Sequence, residues 1–253
     1  MSLQSEFKEI AQTGGRAAMV TAVSGDEATV GAKLLVRADG EARGTLGSEE
    51  LDARAAAMAE ELMWAERSEL RGDLFVDVVA PPPRLIVFGA VDFAAALCRM
   101  ASTAGWRPFV VDPRGRFATR ERFPDAEDVV VAWPEKAFAQ LGGIDRATYI
   151  AVLTHDPKLD DAALTAALSS DAPYIGAMGS RRAQEKRRER LVALGIPEDQ
   201  LVRIAAPIGL DLGGLTAEET ALSIMAEVVA VRNGREGGRL SAAGAGRIHE
   251  VGT

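Results

Sequence analysis

From residue 84 onward, short continuous apolar runs recur along the chain. They are Arg84–Phe88, Phe109–Val111, Val129–Ala132, Tyr149–Leu153 and Tyr174-Ile175, with Leu201–Ile204 as a candidate edge strand. Such runs do not alternate with polar residues, which suits strands covered on both faces. Between them apolar positions fall at helical spacing. Ala94–Met100 begins a helix that Gly105 can close, and Leu159–Leu168, Arg181–Leu194 and Ala217–Arg232 follow. The last is preceded by a capping box, in which Thr216 caps the helix and Glu219 reaches back. Alternation of this kind predicts a parallel sheet with helices on both faces.

The first third of the chain is patterned differently. Ala17–Val23, Thr29–Val36 and Phe75–Val79 read as strands, with turns at Gly25-Asp26 and Asp39-Gly40. Residues 48–65 read as a helix capped by Ser48, with Leu51, Ala55, Met58 and Leu62 on one face. Prolines 81–83 have no N–H with which to continue a ladder, so they form a linker. The expected fold class is α/β: a small α+β domain over residues 1–80, then a Rossmann-like parallel-sheet domain over 84–233. The glycine-rich stretch 234–253 is expected to be a mobile tail.

Composition narrows the function classes. The chain has 253 residues, 47% hydrophobic and 26% charged, as expected of a globular protein with a sizeable core. A net charge of −8 argues against nucleic-acid binding. The first residues, MSLQSEFKEI, lack a basic segment followed by an apolar one, and no run reaches the roughly 20 apolar residues that cross a bilayer. A cytoplasmic protein with no membrane partner is expected. The single cysteine excludes an internal disulfide and a cysteine-cluster metal site. Lying among Ala96, Leu97 and Met100, Cys98 reads as a buried structural thiol.

In a parallel sheet, ligands bind at the carboxyl ends of the strands. Gly89 makes the turn after the first of these strands, but Val91 occupies the position of the glycine that lets a pyrophosphate approach, and Asp92 adds negative charge. NAD(P) binding is therefore disfavoured, and the alternative functions are a nicotinamide-dependent oxidoreductase with a degenerate Rossmann fingerprint and a ligand-free assembly scaffold. Asp112, about 20 residues on, could receive a ribose or other ligand hydroxyl, with Arg114 beside it, or could cap the turn at Pro113. His155 and Asp156 follow an apolar strand, where His155 could transfer a proton, contact a ligand, or share the capping of the next helix. A metal there, with Asp160 adding a ligand, is the lesser reading. The segment Gly176–Arg182, GAMGSRR, reads as an anion cradle. Gly176 and Gly179 permit close backbone approach, Ser180 caps the helix, and Arg181 adds charge. Its bland alternative is a glycine turn into a solvated basic helix.

These segments also resemble a known family. VDPRGRFATRERFP, YIAVLTHDPKLDDAAL, YIGAMGSRRAQEKRRERL and APIGLDLGGLTAEETALSIMAEVVAVR, in that order, resemble the XdhC/CoxI family of xanthine dehydrogenase accessory proteins. GAKLLVRADGEARGTLG looks like that family's first domain. The resemblance implies a maturation factor. Such a protein binds the molybdenum cofactor (molybdopterin), supports its sulfuration with a cysteine desulfurase, and delivers it to a molybdenum hydroxylase of xanthine dehydrogenase type. By position it marks Asp112, Arg114, His155, Asp156, Ser180 and Arg181 as pocket residues. Two departures stand out. Relatives commonly carry Gly-Ala-Gly-His where this chain has Gly89-Ala90-Val91-Asp92, and many have a cysteine where Ser48-Glu49-Glu50 follows Gly44–Gly47. A homodimer is a further expectation, since two adjoining domains leave surface to bury.

Overall fold

The structure, a computed structural model, describes residues 2–25 and 29–242. The chain divides within the proline triplet into two compact units, Met1–Pro82 and Pro83–Thr253.

The first unit contains α1 (Leu3–Gln12), β1 (Ala17–Ala22), β2 (Lys33–Arg37), β3 (Ala42–Thr45), α2 (Glu49–Trp64), β4 (Glu69–Arg71) and β5 (Leu74–Val79). Its antiparallel sheet runs β3-β2-β1-β5-β4. Alternation along β1 and β2 separates two apolar faces. Ala18, Val20, Leu34 and Val36 pack with Ala55, Ala59 and Leu62 of α2. Ala17, Met19 and Leu35 pack with Leu3, Phe7 and Ile10 of α1. Ser48 caps α2 by accepting from Leu51 N–H. Sequence reading missed α1, whose apolar stripe is only three residues, and the edge strands β3 and β4, which carry too little apolar alternation to signal. The strand expected over Thr29–Val36 starts later, because Thr29–Gly31 forms a turn in which Gly31 N–H donates to the Ala22 carbonyl. Asp26 of the expected Gly25-Asp26 turn lies outside the described residues.

The second unit contains β6 (Arg84–Phe88), α3 (Asp92–Thr103), β7 (Arg107–Val111), β8 (Asp128–Val130), α4 (Pro134–Gln140), β9 (Thr148–Val152), α5 (Pro157–Leu168), β10 (Tyr174–Ala177), α6 (Arg181–Ala193), α7 (Glu198–Leu201), β11 (Ile204–Ala205) and α8 (Ala217–Arg232). All six strands are parallel, in the order β11-β10-β9-β6-β7-β8. This is the doubly wound order of a Rossmann domain, and it reverses between β6 and β9. Leu85 and Val87 face α3 and α8, where Leu97, Ile224 and Val228 pack. Ile86 and Phe88 face the opposite layer, with Phe138, Leu164 and Leu191. The expected capping box is present at Thr216 and Glu219. No described helix is long and apolar enough to cross a membrane.

Three sequence expectations are corrected. Leu201 belongs to a helical turn, and the edge strand is Ile204–Ala205. The basic helix α6 is not solvated along its length. Arg187 is 4% exposed and donates to Asp160 Oδ2 at 2.8 Å and to the Met178 carbonyl at 2.8 Å. Arg190 makes a two-pronged pair with Asp161 at 2.7 and 2.9 Å. Asp160, read as an accessory metal ligand, is 3% exposed and is the buried counter-ion of Arg187. Of the expected tail, residues 234–242 are irregular apart from a short turn at Leu240–Ala242, and residues 243–253 lie outside the described set.

The two kinds of arginine on α6 should separate in unfolding experiments. Arg187→Ala leaves the Asp160 carboxylate buried and unpaired and should cost about 3–5 kcal/mol. Arg188→Ala removes a solvent-screened pair with Glu198 and should cost about 1 kcal/mol or less. Urea denaturation of the two variants checks this; equal midpoints would contradict the burial of Arg187.

Candidate functional site

At the point where strand order reverses, the carboxyl ends of β6 and β9 lie side by side, with Phe88 registered against Val152. Gly89 follows with φ +107°, and a Cβ placed there would lie 3.0 Å from Thr154 N. Both the conformation and the close approach require glycine. The next backbone N–H, of Ala90, donates to Asp112 Oδ2 at 2.9 Å.

Asp112 stands at the end of β7 with no exposed surface. Its Oδ1 accepts from the Arg114 N–H and Nε, both at 2.9 Å, and its Oδ2 also accepts from Arg114 Nη2 at 2.8 Å. Burial alone would push the carboxyl up, but the guanidinium and the two backbone N–H groups outweigh it and hold Asp112 below the usual carboxylate range. Arg114 remains 43% exposed on its outer side. Arg122, which sequence reading missed, braces the same loop from the other flank. It donates to the carbonyls of Ala90 and Phe117, each at 3.0 Å, and to Asp92 Oδ1 at 3.1 Å.

Val91, Arg114, Thr154, His155, Asp156 and Pro157 line a cleft of about 520 Å³. It is bordered by the amino ends of α3 and α5, the latter opening with Pro157, which has no N–H. Val91 is the N-cap of α3 and makes no side-chain cap bond, so an isopropyl group stands where a phosphate would meet that helix. Asp92 is 94% exposed and paired to Arg122, so its charge is partly compensated. Asp156 caps α5 through Lys158 N–H at 2.9 Å, and buried Thr154 Oγ1 accepts from Asp156 N–H at 2.8 Å. His155 is exposed at the cleft wall. The arrangement can hold an anionic, planar ligand through one oriented guanidinium and an imidazole.

Of the sequence candidates, Arg114, His155 and Asp156 meet in this cleft, Gly89 lies at its base, and Asp112 supports Arg114 from behind. Gly176, Gly179, Ser180 and Arg181 are not among its lining. Gly176 has another reason to be glycine than approach to an anion. A Cβ there would lie 2.5 Å from Ile208 Cδ1 and 2.6 Å from the Tyr174 hydroxyl, so its bareness makes room for the core. Ser180 caps α6 as expected, accepting from Ala183 N–H at 3.3 Å. Gly179 has φ +134°, and Gln184 Nε2 donates to its carbonyl at 3.1 Å, which ties the loop to α6. Arg181 is exposed at that helix start. Thr154 carried a weak sequence signal as the last residue before the His155-Asp156 pair. Arg122 carried none, because its partners come from a segment about 30 residues earlier.

Cys98 is fully buried in α3, and burial, with a smaller contribution from Asp125, pushes its thiol up to about 12. It is protonated at neutral pH and out of reach. Among the described residues, no group of three His, Cys, Asp or Glu side chains could hold a metal ion.

Fold and site together define a Rossmann-domain protein whose ligand cleft lacks the dinucleotide glycine fingerprint. Residues 85–228 match the XdhC Rossmann domain family, and residues 10–72 match the XdhC and CoxI family. The chain belongs to the XdhC/CoxI family. It is 29% identical over 160 residues to a probable xanthine dehydrogenase subunit of Bacillus subtilis (strain 168), covering 63% of this chain and 46% of that protein. It is 30% identical over 152 residues to the molybdenum cofactor insertion chaperone PaoD of Escherichia coli (strain K12), covering 60% and 41% respectively. The chain thus spans less than half the length of these relatives. A crystal structure of a xanthine dehydrogenase from Bacillus halodurans shares the fold, with a TM-score of 0.61, 24% identity, and coverage of 89% of this chain and 65% of that one.

Asp112 gives the site a pH signature. A carboxyl held below its unfolded value contributes stability fully above the unfolded pKa of about 4, and that contribution is lost as pH falls through the lower folded value. Asp112→Asn should therefore destabilise the protein by about 3 kcal/mol at pH 7. The gap from the parent should narrow below about pH 4, as followed by urea unfolding across pH. For Cys98, an aromatic disulfide reagent at pH 8 should release no thiolate until denaturant is added; rapid labelling of the folded protein would refute its burial.

Proposed function

We propose that this protein is an accessory factor that binds the molybdenum cofactor in the cleft between β6 and β9 and hands it to a molybdenum hydroxylase of xanthine dehydrogenase type. The carrying observation is Arg114: a guanidinium fixed from behind by buried Asp112 and presented, half-exposed, at the mouth of a cleft of ligand size. The cleft suits the organic part of such a cofactor. Arg114 would take its phosphate, while His155 and Asp156 offer hydrogen-bond partners to the polar edge of a pterin. The two matched relatives whose names concern a molybdenum enzyme and its cofactor chaperone support the same reading.

Delivery demands a site that holds its cargo and lets it go. Hydrogen bonds and one charged pair at an open cleft edge meet that demand better than direct ligation of the metal by side chains. The molybdenum, when the cofactor is bound, supplies the centre that the recipient enzyme uses. This chain's residues orient the organic end. Sulfuration would draw sulfur from a partner cysteine desulfurase, since Cys98 is buried and protonated and the cysteine common after the first domain's glycine pair in relatives is absent here.

The test is anaerobic incubation with molybdenum cofactor, gel filtration, and quantification of co-eluting molybdenum and pterin. The parent should retain both in near-equal amounts, and Arg114→Ala should retain about tenfold less, the loss of one charge-assisted contact. A parent protein that elutes free of pterin would overturn the proposal.

A further inference from the structure

Helices α6 and α8 both present a face to water, and the two faces are built differently. On α6 the exposed positions include Arg181, Arg182, Glu185, Lys186 and Glu189, the charged surface expected of a helix against solvent. On α8 the inner positions Ala221, Ile224, Met225 and Val228 pack in the core with Leu85, Val87 and Leu97. Its outward positions at helical spacing read Glu218, Leu222, Ala226, Val229 and Asn233, with Arg232 beside the last. Leu222 is 49% exposed and Val229 39%. Leu215, just ahead of the Thr216 cap, is 94% exposed, and its N–H donates to Glu219 Oε2 at 2.8 Å, which fixes it at the helix start. A contiguous apolar stripe held in water costs about 25 cal/mol per Å², which a covering surface recovers.

The order along this stripe is acidic, apolar, then basic, and that order is self-complementary. A two-fold axis beside Ala226, with a second α8 running the opposite way, sets Leu222 of one copy against Val229 of the other, and the reverse. Glu218 and Glu219 then fall opposite Asn233 and Arg232, so unlike charges meet at both ends of the pair. A parallel pairing would set acid against acid instead. The small side chain of Ala226 at the crossing lets the helix axes approach to about 8 Å. Beyond the helix, Leu215 of one copy meets residues 234–238 of the other, where Gly234, Gly237 and Gly238 present no side chain.

We propose that the outward face of α8 is the interface of a two-fold homodimer, in which the helices of two copies pack antiparallel about Ala226. An isologous contact needs a surface that fits itself, and this face meets that requirement in shape and in charge. A pair of 16-residue helices, each about 24 Å long, with its flanking segments lies at the low end of specific interfaces, so association is expected in the micromolar range. The antiparallel pairing turns the carboxyl edges of the two sheets in opposite directions, and each copy keeps its own cleft. The inference is independent of what that cleft binds.

Sedimentation velocity of the full chain from about 1 to about 100 µM tests it and should show a monomer–dimer equilibrium. Leu222→Glu places a charge in the apolar seam and should raise the dimer dissociation constant about hundredfold. Because Leu222 is exposed in the monomer, its urea midpoint should match the parent's. Disulfide trapping fixes the geometry, with no background from the buried Cys98. Oxidised Ala226→Cys should run as a covalent dimer, while Ser102→Cys, at an exposed position on α3, should stay monomeric. A mixture of Leu222→Cys and Val229→Cys should form the mixed dimer in preference to either self-pair, the signature of antiparallel packing. A chain that stays monomeric throughout, or a dimer that survives Leu222→Glu and is not trapped through Ala226→Cys, would overturn the proposal and leave this face to a different partner. Self-pairs that equal the mixed dimer would overturn the antiparallel arrangement.

Discussion

The geometry of the cleft depends on one buried carboxylate. Asp112, without exposed surface, binds the Ala90 N–H in the loop after β6 and the side chain and backbone of Arg114 after β7. A desolvated charge of this kind is tolerable only while its partners stay in place, so the two loops are held as a unit. Gly89 complements it: with a positive φ and Thr154 against its Cα, the loop after β6 has little freedom to relax. The rigidity that a binding site needs thus comes from charge burial at the sheet edge, where backbone ladders no longer constrain the chain.

The arginines show how little residue type alone determines. On α6, Arg187 is an interior counter-ion, Arg190 is held by Asp161, and Arg188 is a solvent-facing partner of Glu198. After β7, Arg114 and Arg122 are braces, while Arg116 has only an aromatic ring beneath it. One side-chain chemistry thus serves burial, bracing and display, and the distinction is made by which carboxylates the fold brings within reach. The basic run that read as one surface is divided among these roles.

Val91, Asp92 and Ser48 each stand at or beside the start of a helix. Val91 closes the amino end of α3 to a phosphate, and Asp92 turns outward to Arg122. Ser48 is a helix cap whose hydroxyl accepts from Leu51 N–H. These positions have been turned to structural use, and the cleft that remains is defined by Arg114, Thr154, His155 and Asp156.

Much of this was legible in the sequence. Continuous apolar runs separated by helical periodicity determine a parallel sheet, and the residues just past each run therefore fall on one edge; this is why Gly89, Asp112, Arg114, His155 and Asp156 could be named. The capping box at Thr216 and the burial of Cys98 followed from equally local patterns. What sequence did not determine were contacts between residues distant along the chain: Arg122 bracing Ala90, Asp160 neutralising Arg187, Ile208 occupying the space over Gly176. Nor did it reveal α1, β3 or β4, whose short or polar segments gain order from the sheet they join. Local pattern records which face of an element is covered. Only the tertiary structure decides which charge meets which, because ion pairing and close packing depend on distances across the fold that no spacing along the chain encodes.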